Sequence, residues 1–316
     1  MMRQAGRYLP EYREIRSEYS FRDAISTPEV AIEISLQPWE RFRPDGVVMY
    51  SDILPTLELL EFSFHLESGV GPVIDTPVME PGDVSGRARR SAADELSYVK
   101  DILDGLNNAV NDRAAVIGFV GGPVTLAAYA IEGEPARNFM ALRRFRYEYP
   151  NAFSRFLDDL AEAIIDFARF QSESGADVVQ LFDTYAGLLS EPDLRTFVLP
   201  TYRRIFEAIE VPTIIFARNM NNRLDILDTS GADIVSLDWT EEIGAVRTRL
   251  GDRPVQGNLD PATLFAPPKV IHDRTIAIIE SAGESGHILN LGHGVHKSTP
   301  VGGVEAFFEA AQSVDR

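Results

Sequence analysis

The chain has no cysteine, and of its 30 basic residues only Lys100, Lys269 and Lys297 are lysine. Without thiols there is no disulfide framework and no thiolate metal site. No apolar run approaches the ~20 residues of a membrane span. No apolar stretch follows Arg3 as a secretory signal would require. These absences point to a soluble, cytoplasmic protein. Basic charge is scarce: 30 Lys and Arg face 48 Asp and Glu, a formal net charge of −18 over 316 residues. Phosphate is repelled by such a surface, which argues against nucleic acid as a partner. Abundant acid with almost no lysine resembles proteins of salt-loving organisms, whereas a hyperthermophile is richer in both Lys and Glu. There is no Gly-x-Ser-x-Gly elbow and no P-loop. No two histidines have the spacing of a zinc helix, and His293-x-x-His296 without a nearby carboxylate is a weak metal signal.

Against this acidic background the first sixteen residues hold Arg3, Arg7, Arg13 and Arg16 around the pair Ala5-Gly6. Arginine grips carboxylates with a planar fork and stays charged at any working pH. Glycine lets a ligand come close to the backbone. The segment suits a small molecule with several carboxylates. It equally suits a solvated terminus in which the arginines pair with Glu11 and Glu14 at helical spacing.

Seven short apolar runs recur, at 46–50, 114–120, 177–182, 213–217, 233–237, 254–257 and 287–291. Continuous apolar runs fit strands buried on both faces of a parallel sheet. Amphipathic stretches at 154–174, 192–210, 241–250 and 267–282 alternate with them, which argues for βαβ units and an α/β fold. No linker or repeat divides the chain, so one domain over 1–316 is expected. A (β/α)8 barrel needs eight strands, and Met1-Met-Arg-Gln4 could supply only the end of a first one. The expectation is therefore an open sheet, or a barrel whose first strand is missing or truncated because the natural protein begins further upstream. Residues 62–92 lack helical periodicity and read as a long loop or hairpin insertion.

A polar cluster follows each run: Ser51-Asp52, Gly121-Gly-Pro-Val-Thr125, Asp183-Thr-Tyr185, Arg218-Asn219, Asp238-Trp239, Asn258-Leu-Asp260 and Gly292-His-Gly294. In a barrel these positions share one rim, where catalysis sits. For most single residues, capping the next helix is the plainer role; Asp260 before Pro261 is expected to cap, and Asp52 could. His293 lies between glycines, a setting that lets an imidazole reach a ligand.

Taken together, these segments resemble the uroporphyrinogen decarboxylase family of haem biosynthesis. The resemblance rests on Met2-Arg-Gln-Ala-Gly-Arg-Tyr-Leu-Pro-Glu-Tyr-Arg13, Tyr50-Ser-Asp-Ile53, Gly122-Pro-Val-Thr-Leu-Ala-Ala-Tyr129, Gln180-Leu-Phe-Asp-Thr184, Leu237-Asp-Trp-Thr240, Gln256-Gly-Asn-Leu-Asp-Pro261 and Asn290-Leu-Gly-His-Gly-Val295, in family order. It implies a single TIM-type (β/α)8 barrel and a homodimer with facing clefts. It implies no metal or organic cofactor, and conversion of uroporphyrinogen III to coproporphyrinogen III with loss of four CO2. By position, Arg3 and Arg7 bind substrate carboxylates, Arg3 is a candidate proton donor, and Arg16 lies near the same cleft. Asp52 accepts the pyrrole N–H groups, and Tyr129 and His293 contact acetate or propionate arms. Thr184 falls where the family usually has serine, and Gln4, Ala5 and Gly6 lend backbone. The chain departs from the pattern in three places. About twenty residues ending Pro-Val-Trp do not precede Met-Arg-Gln, Val124 replaces a usual tryptophan, and Arg218-Asn-Met220 stands where a Gly-Lys-Gly-like turn is common. Two rivals are a non-catalytic tetrapyrrole or polyanion carrier and a corrinoid-linked methyltransferase of the same superfamily, the latter disfavoured by zero cysteine.

Overall fold

A computed structural model describes residues 3–67, 69–84 and 87–314. All seven expected runs form strands, and the insertion adds two more: β1 Gly46–Val48, β2 Phe64–Glu67, β3 Gly71–Ile74, β4 Ala115–Gly121, β5 Val178–Phe182, β6 Thr213–Phe216, β7 Ile234–Ser236, β8 Val255–Leu259 and β9 His287–Leu291. β2 and β3 make an antiparallel hairpin, with Phe64 opposite Ile74. The other seven form one parallel sheet in the order β1-β4-β5-β6-β7-β8-β9. A doubly wound sheet reverses its strand order at a switch point. Here the order never reverses, so the sheet curls in one direction as a TIM-type barrel. The apolar runs behave as continuous burial requires: every residue of β6 and of β8 is buried.

Helices cover the outside. Pro150–Glu173, whose buried face runs from Ala152 through Phe167 to Gln171, packs on β4. The stretch expected at 192–210 is broken: a short turn and a π-helical turn precede the helix Leu199–Glu207, because Pro200 lacks the N–H that continuous α-helix needs. Within the barrel the rings of Phe119, Phe182 and Phe216 pack edge to face at 5.7 and 6.1 Å. Gln256 donates to Ser236 Oγ at 2.9 Å and lies 3.5 Å from Gln180 Oε1, so the interior polar groups satisfy one another. No described helix is long and apolar enough to cross a membrane.

Two expectations about the N-terminal segment need correcting. Met1 and Met2 lie outside the described residues, and Arg3-Gln4 is not strand: Arg3 has φ +54° and the two residues sit in a turn. Yet this turn occupies the seam between β1 and β9, which have no ladder to each other. Gln4, 2% exposed, donates from Nε2 to the Gly46 carbonyl at 3.0 Å and accepts from the Val48 N–H at 2.9 Å. Its side-chain amide takes the place of a peptide unit on the free edge of β1. On the other side of the seam Ile288 of β9 is 43% exposed, although it is in register with buried Gln256. Among the described residues the segment's arginines make no ion pair with Glu11 or Glu14. Glu11 meets Arg41 at 3.1 Å, and Arg13 donates to the carbonyls of Tyr8 and Leu9.

Candidate active site

Asp52 lies past the end of β1. Its Oδ1 accepts from the Leu54 N–H at 2.9 Å, a local turn bond of the kind Asx side chains make, while helix Pro55–Glu58 has no side-chain cap. Burial raises the Asp52 carboxyl above the ordinary range, and the backbone donors Leu54 and Ile53, together with the Arg3 guanidinium, oppose that rise. Tyr129 stands on the helix Pro123–Glu132 that follows β4. Its phenol is pushed well up by burial, then by Tyr185 and Asp52, with Arg3 again opposing.

His293 follows β9 and packs edge to face on Phe216 at 5.8 Å and on Trp239 at 5.9 Å. Burial pushes its imidazole down to about 4, helped by the positive charges of Arg218 and Arg3 and opposed by Asp238. The sign is that of a base held neutral. His293 contributes stability fully present above its unfolded value near 6.5 and lost as pH falls toward 4, because the unfolded chain binds the proton more readily. A proton NMR titration should place its midpoint near pH 4, with no change between pH 6 and 8; a midpoint near 6.5 would mean that the cleft is wetter than its packing implies.

Arg3 is thus the common electrostatic neighbour of Asp52, Tyr129 and His293, so residues after β1, β4 and β9 converge on one mouth. Gln4, Ala5 and Gly6 form the turn behind Arg3, closed by the Leu9 N–H on the Gly6 carbonyl at 3.0 Å and the Tyr8 hydroxyl on the Gln4 carbonyl at 3.1 Å. Thr184 is partly exposed two residues beyond Phe182. Arg7 is exposed and makes no ion pair among the described residues. Arg16 lies further round: it bonds the Tyr19 carbonyl, sits 5.6 Å from the Phe21 ring, and its charge acts on the Tyr50 phenol. Asp260 caps as expected, accepting from the Ala262 N–H at 2.9 Å. His296 is engaged locally, its Nδ1 accepting from the Ser298 N–H.

The aromatic floor escaped sequence reasoning. Phe119, Phe182 and Phe216 make an apolar floor, and the only signal was a phenylalanine at or near the end of three successive strands. Trp239 and Arg218 form a wall, with the guanidinium 5.0 Å over the indole. Ser51 Oγ, Tyr98 OH, Arg218 Nε and His293 Nε2 are buried without a partner. Buried polar atoms are nearly always satisfied, and of these four Arg218 Nε and His293 Nε2 lie together, the imidazole under the field of the guanidinium. What the arrangement can do is hold a flat molecule with an apolar body and an anionic rim against one central carboxylate.

Fold and cleft define a TIM-type barrel protein with a candidate ligand site at the strand C-termini. A family model described as "Uroporphyrinogen decarboxylase (URO-D)" matches residues 1–314. The chain is 42% identical over 317 residues to the uroporphyrinogen decarboxylase of a Synechococcus species, covering 99% of this chain and 88% of that protein. It is 43% identical over 323 residues to the enzyme of the same name from Crocosphaera subtropica, covering 100% and 91%. The chain belongs to the uroporphyrinogen decarboxylase family. Among solved structures, a methyltransferase from Methanosarcina mazei superposes with TM-score 0.80 at 21% identity, over 95% of this chain and 90% of that one. A B12-independent methionine synthase from a Shewanella species gives 0.60 at 12%, over 92% and 87%. At those identities the likeness is one of fold.

Proposed function

We propose that this protein is the carboxy-lyase that converts the four acetate arms of uroporphyrinogen III to methyl groups, yielding coproporphyrinogen III and four CO2. The observation that carries the reading is Asp52, a partly buried carboxylate beside Arg3 and Tyr129 above an apolar floor. Loss of CO2 from an acetate arm needs an electron sink. Protonating the ring carbon beside the arm makes a cation, and the electron pair of the breaking C–C bond flows into it. The exocyclic methylene that results takes a proton to become methyl, and the ring carbon then gives its own proton back. Net, one proton replaces one CO2. The substrate supplies its own sink, so no organic cofactor or metal is asked for.

Asp52 accepts the pyrrole N–H groups and faces the positive charge as it develops, which favours the transition state over the bound substrate. Arg3 and Arg7 clamp carboxylates, with Arg16 at the margin and Gln4, Ala5 and Gly6 holding Arg3 in place. Arg3 also directs the proton. A guanidinium has a pKa above ~12, so the proton itself comes through a water or a substrate carboxyl beside it. Tyr129, Thr184 and neutral His293 orient acetate and propionate arms. The protein works as one domain, in the cytoplasm, as a homodimer with facing clefts.

A substrate with eight carboxylates and a protein of charge −18 repel each other. Salt at 1 M shortens the screening length to about 3 Å, so remote acids cease to matter and contact pairs decide. The acid-rich, lysine-poor composition supports salt adaptation. Anaerobic turnover should release CO2 and coproporphyrinogen in the presence of chelator, faster in molar than in millimolar salt. Activity abolished by chelator and restored by zinc would overturn the reading; binding of porphyrinogen with no CO2 released would make the protein a carrier.

A further inference from the structure

Arg218, just past the end of β6, is held from three sides. A Cβ on Gly187 would lie 2.1 Å from the Arg218 carbonyl oxygen, so only glycine lets the turn after β5 close on this backbone. The next N–H, that of Asn219, donates to Asp238 Oδ2 at 2.8 Å. The guanidinium itself lies over the Trp239 ring at 5.0 Å. Arg223 secures the same loop, donating to the carbonyls of Leu189 at 2.8 Å, Gly187 at 3.2 Å and Asn219 at 2.6 Å. The site fixes a cation in one orientation.

Among the described residues no carboxylate forms an ion pair with that cation. Arg22, Arg41, Arg89, Arg90, Arg195 and Arg204 all meet acids within ion-pair distance; among the described residues Arg218 meets none. Asp238, which precedes Trp239, has both oxygens engaged: Oδ2 by Asn219, Oδ1 by the Thr240 N–H at 2.7 Å and by the Thr240 hydroxyl. Arg218 Nε is buried and unpartnered, as is His293 Nε2 beside it. In a protein with 48 acids, a rigid, half-buried and unpaired guanidinium at the strand C-termini is kept for an anion from outside.

We propose that Arg218 binds one carboxylate arm of the substrate beside His293, as an anchor additional to Arg3, Arg7 and Arg16, and so helps to set which pattern of acidic arms the cleft accepts. This rests on the decarboxylase reading above. Arg218→Gln and Arg218→Met should each raise the KM for uroporphyrinogen III about tenfold or more, the loss of a charge-assisted hydrogen bond, with kcat changed only a few-fold. Arg218→Lys, which keeps the charge without the fork, should fall between them and the unaltered protein. The His293 midpoint should rise in Arg218→Gln, since a neighbouring positive charge is gone.

Wild-type KM in Arg218→Met would show that only the stem packed on Trp239 matters and would overturn the proposal. So would variants that lose thermal stability and KM together, with no rescue by lysine. If the unaltered protein releases no CO2, the decarboxylase reading fails, and the same variants are then scored by Kd for uroporphyrin from fluorescence quenching. An unchanged Kd across the three overturns the anchor on its own.

Discussion

Replacing Asp52 by asparagine is expected to lower kcat about 10²–10³-fold while leaving KM within a few-fold. The amide is nearly the size of the carboxylate, and its oxygen can keep the Leu54 N–H bond and still accept from a pyrrole N–H. Ground-state binding therefore survives in large part. The negative charge opposite the protonated ring does not, and that charge is complementary only to the cation formed during reaction. Because burial raises the Asp52 carboxyl, it takes up a proton at a higher pH than an ordinary aspartate. The acidic limb of the kcat profile should lie correspondingly high and disappear in Asp52→Asn. Near-normal kcat in that variant would reduce Asp52 to its turn bond with Leu54 and remove the central carboxylate from the mechanism.

The second large effect concerns stability. Asp183, fully buried, accepts from the Val124 N–H at 3.2 Å, the Thr125 N–H and hydroxyl both at 2.7 Å, and the Tyr202 hydroxyl at 2.7 Å. It ties β5 to the helix that carries Tyr129 and to the helix Leu199–Glu207 outside. Burial pushes its carboxyl up, and these donors resist the shift. Asp183→Ala strands the Thr125 N–H and the Tyr202 hydroxyl in the interior. Each buried donor without a partner costs about 1–3 kcal/mol, and with the emptied space the loss should reach roughly 3–5 kcal/mol, against a total stability of about 5–15 kcal/mol for native proteins. Urea unfolding is the measurement, and a midpoint within error of the unaltered protein would contradict the assignment. Asp183→Asn, which keeps one acceptor, should lose less.

The difference between Asp52 and Asp183 marks how far sequence reading reached. Both follow an apolar strand and both precede a helix, so pattern alone gives them the same standing. What separates them is whether the oxygens are spent: Asp183's are saturated by donors from two other elements, and Asp52 meets only its own turn's backbone N–H groups. That is three-dimensional information. The strands were legible because burial on both faces leaves unbroken apolar runs, and the hairpin at 64–74 because its glycines and prolines interrupt every period. The aromatic floor was not, since Phe119, Phe182 and Phe216 are scattered along the chain and meet only when the sheet curls. Arg218 was visible as a departure from the family's turn, but its lack of a counter-ion depends on Asp238 being occupied elsewhere. The part Gln4 plays at the seam was not legible, because strand logic counts backbone ladders and Gln4 meets the edge of β1 with a side chain.

That clip has a thermodynamic consequence. Between β7 and β8, or β8 and β9, separating the strands breaks a cooperative ladder; at the seam the segment carrying Arg3 is tied to the edge of β1 by the two bonds of the Gln4 amide and by the packing of buried Tyr8 and Leu9. The proposed catalytic cation therefore rides on a part of the fold that can open well below the cost of global unfolding. A polyanion that bridges Arg3 to Asp52 on one side and to the His293 wall on the other ties the two free edges through itself. Occupancy and closure become one linked equilibrium, in which the tetrapyrrole serves as the last stave of the barrel.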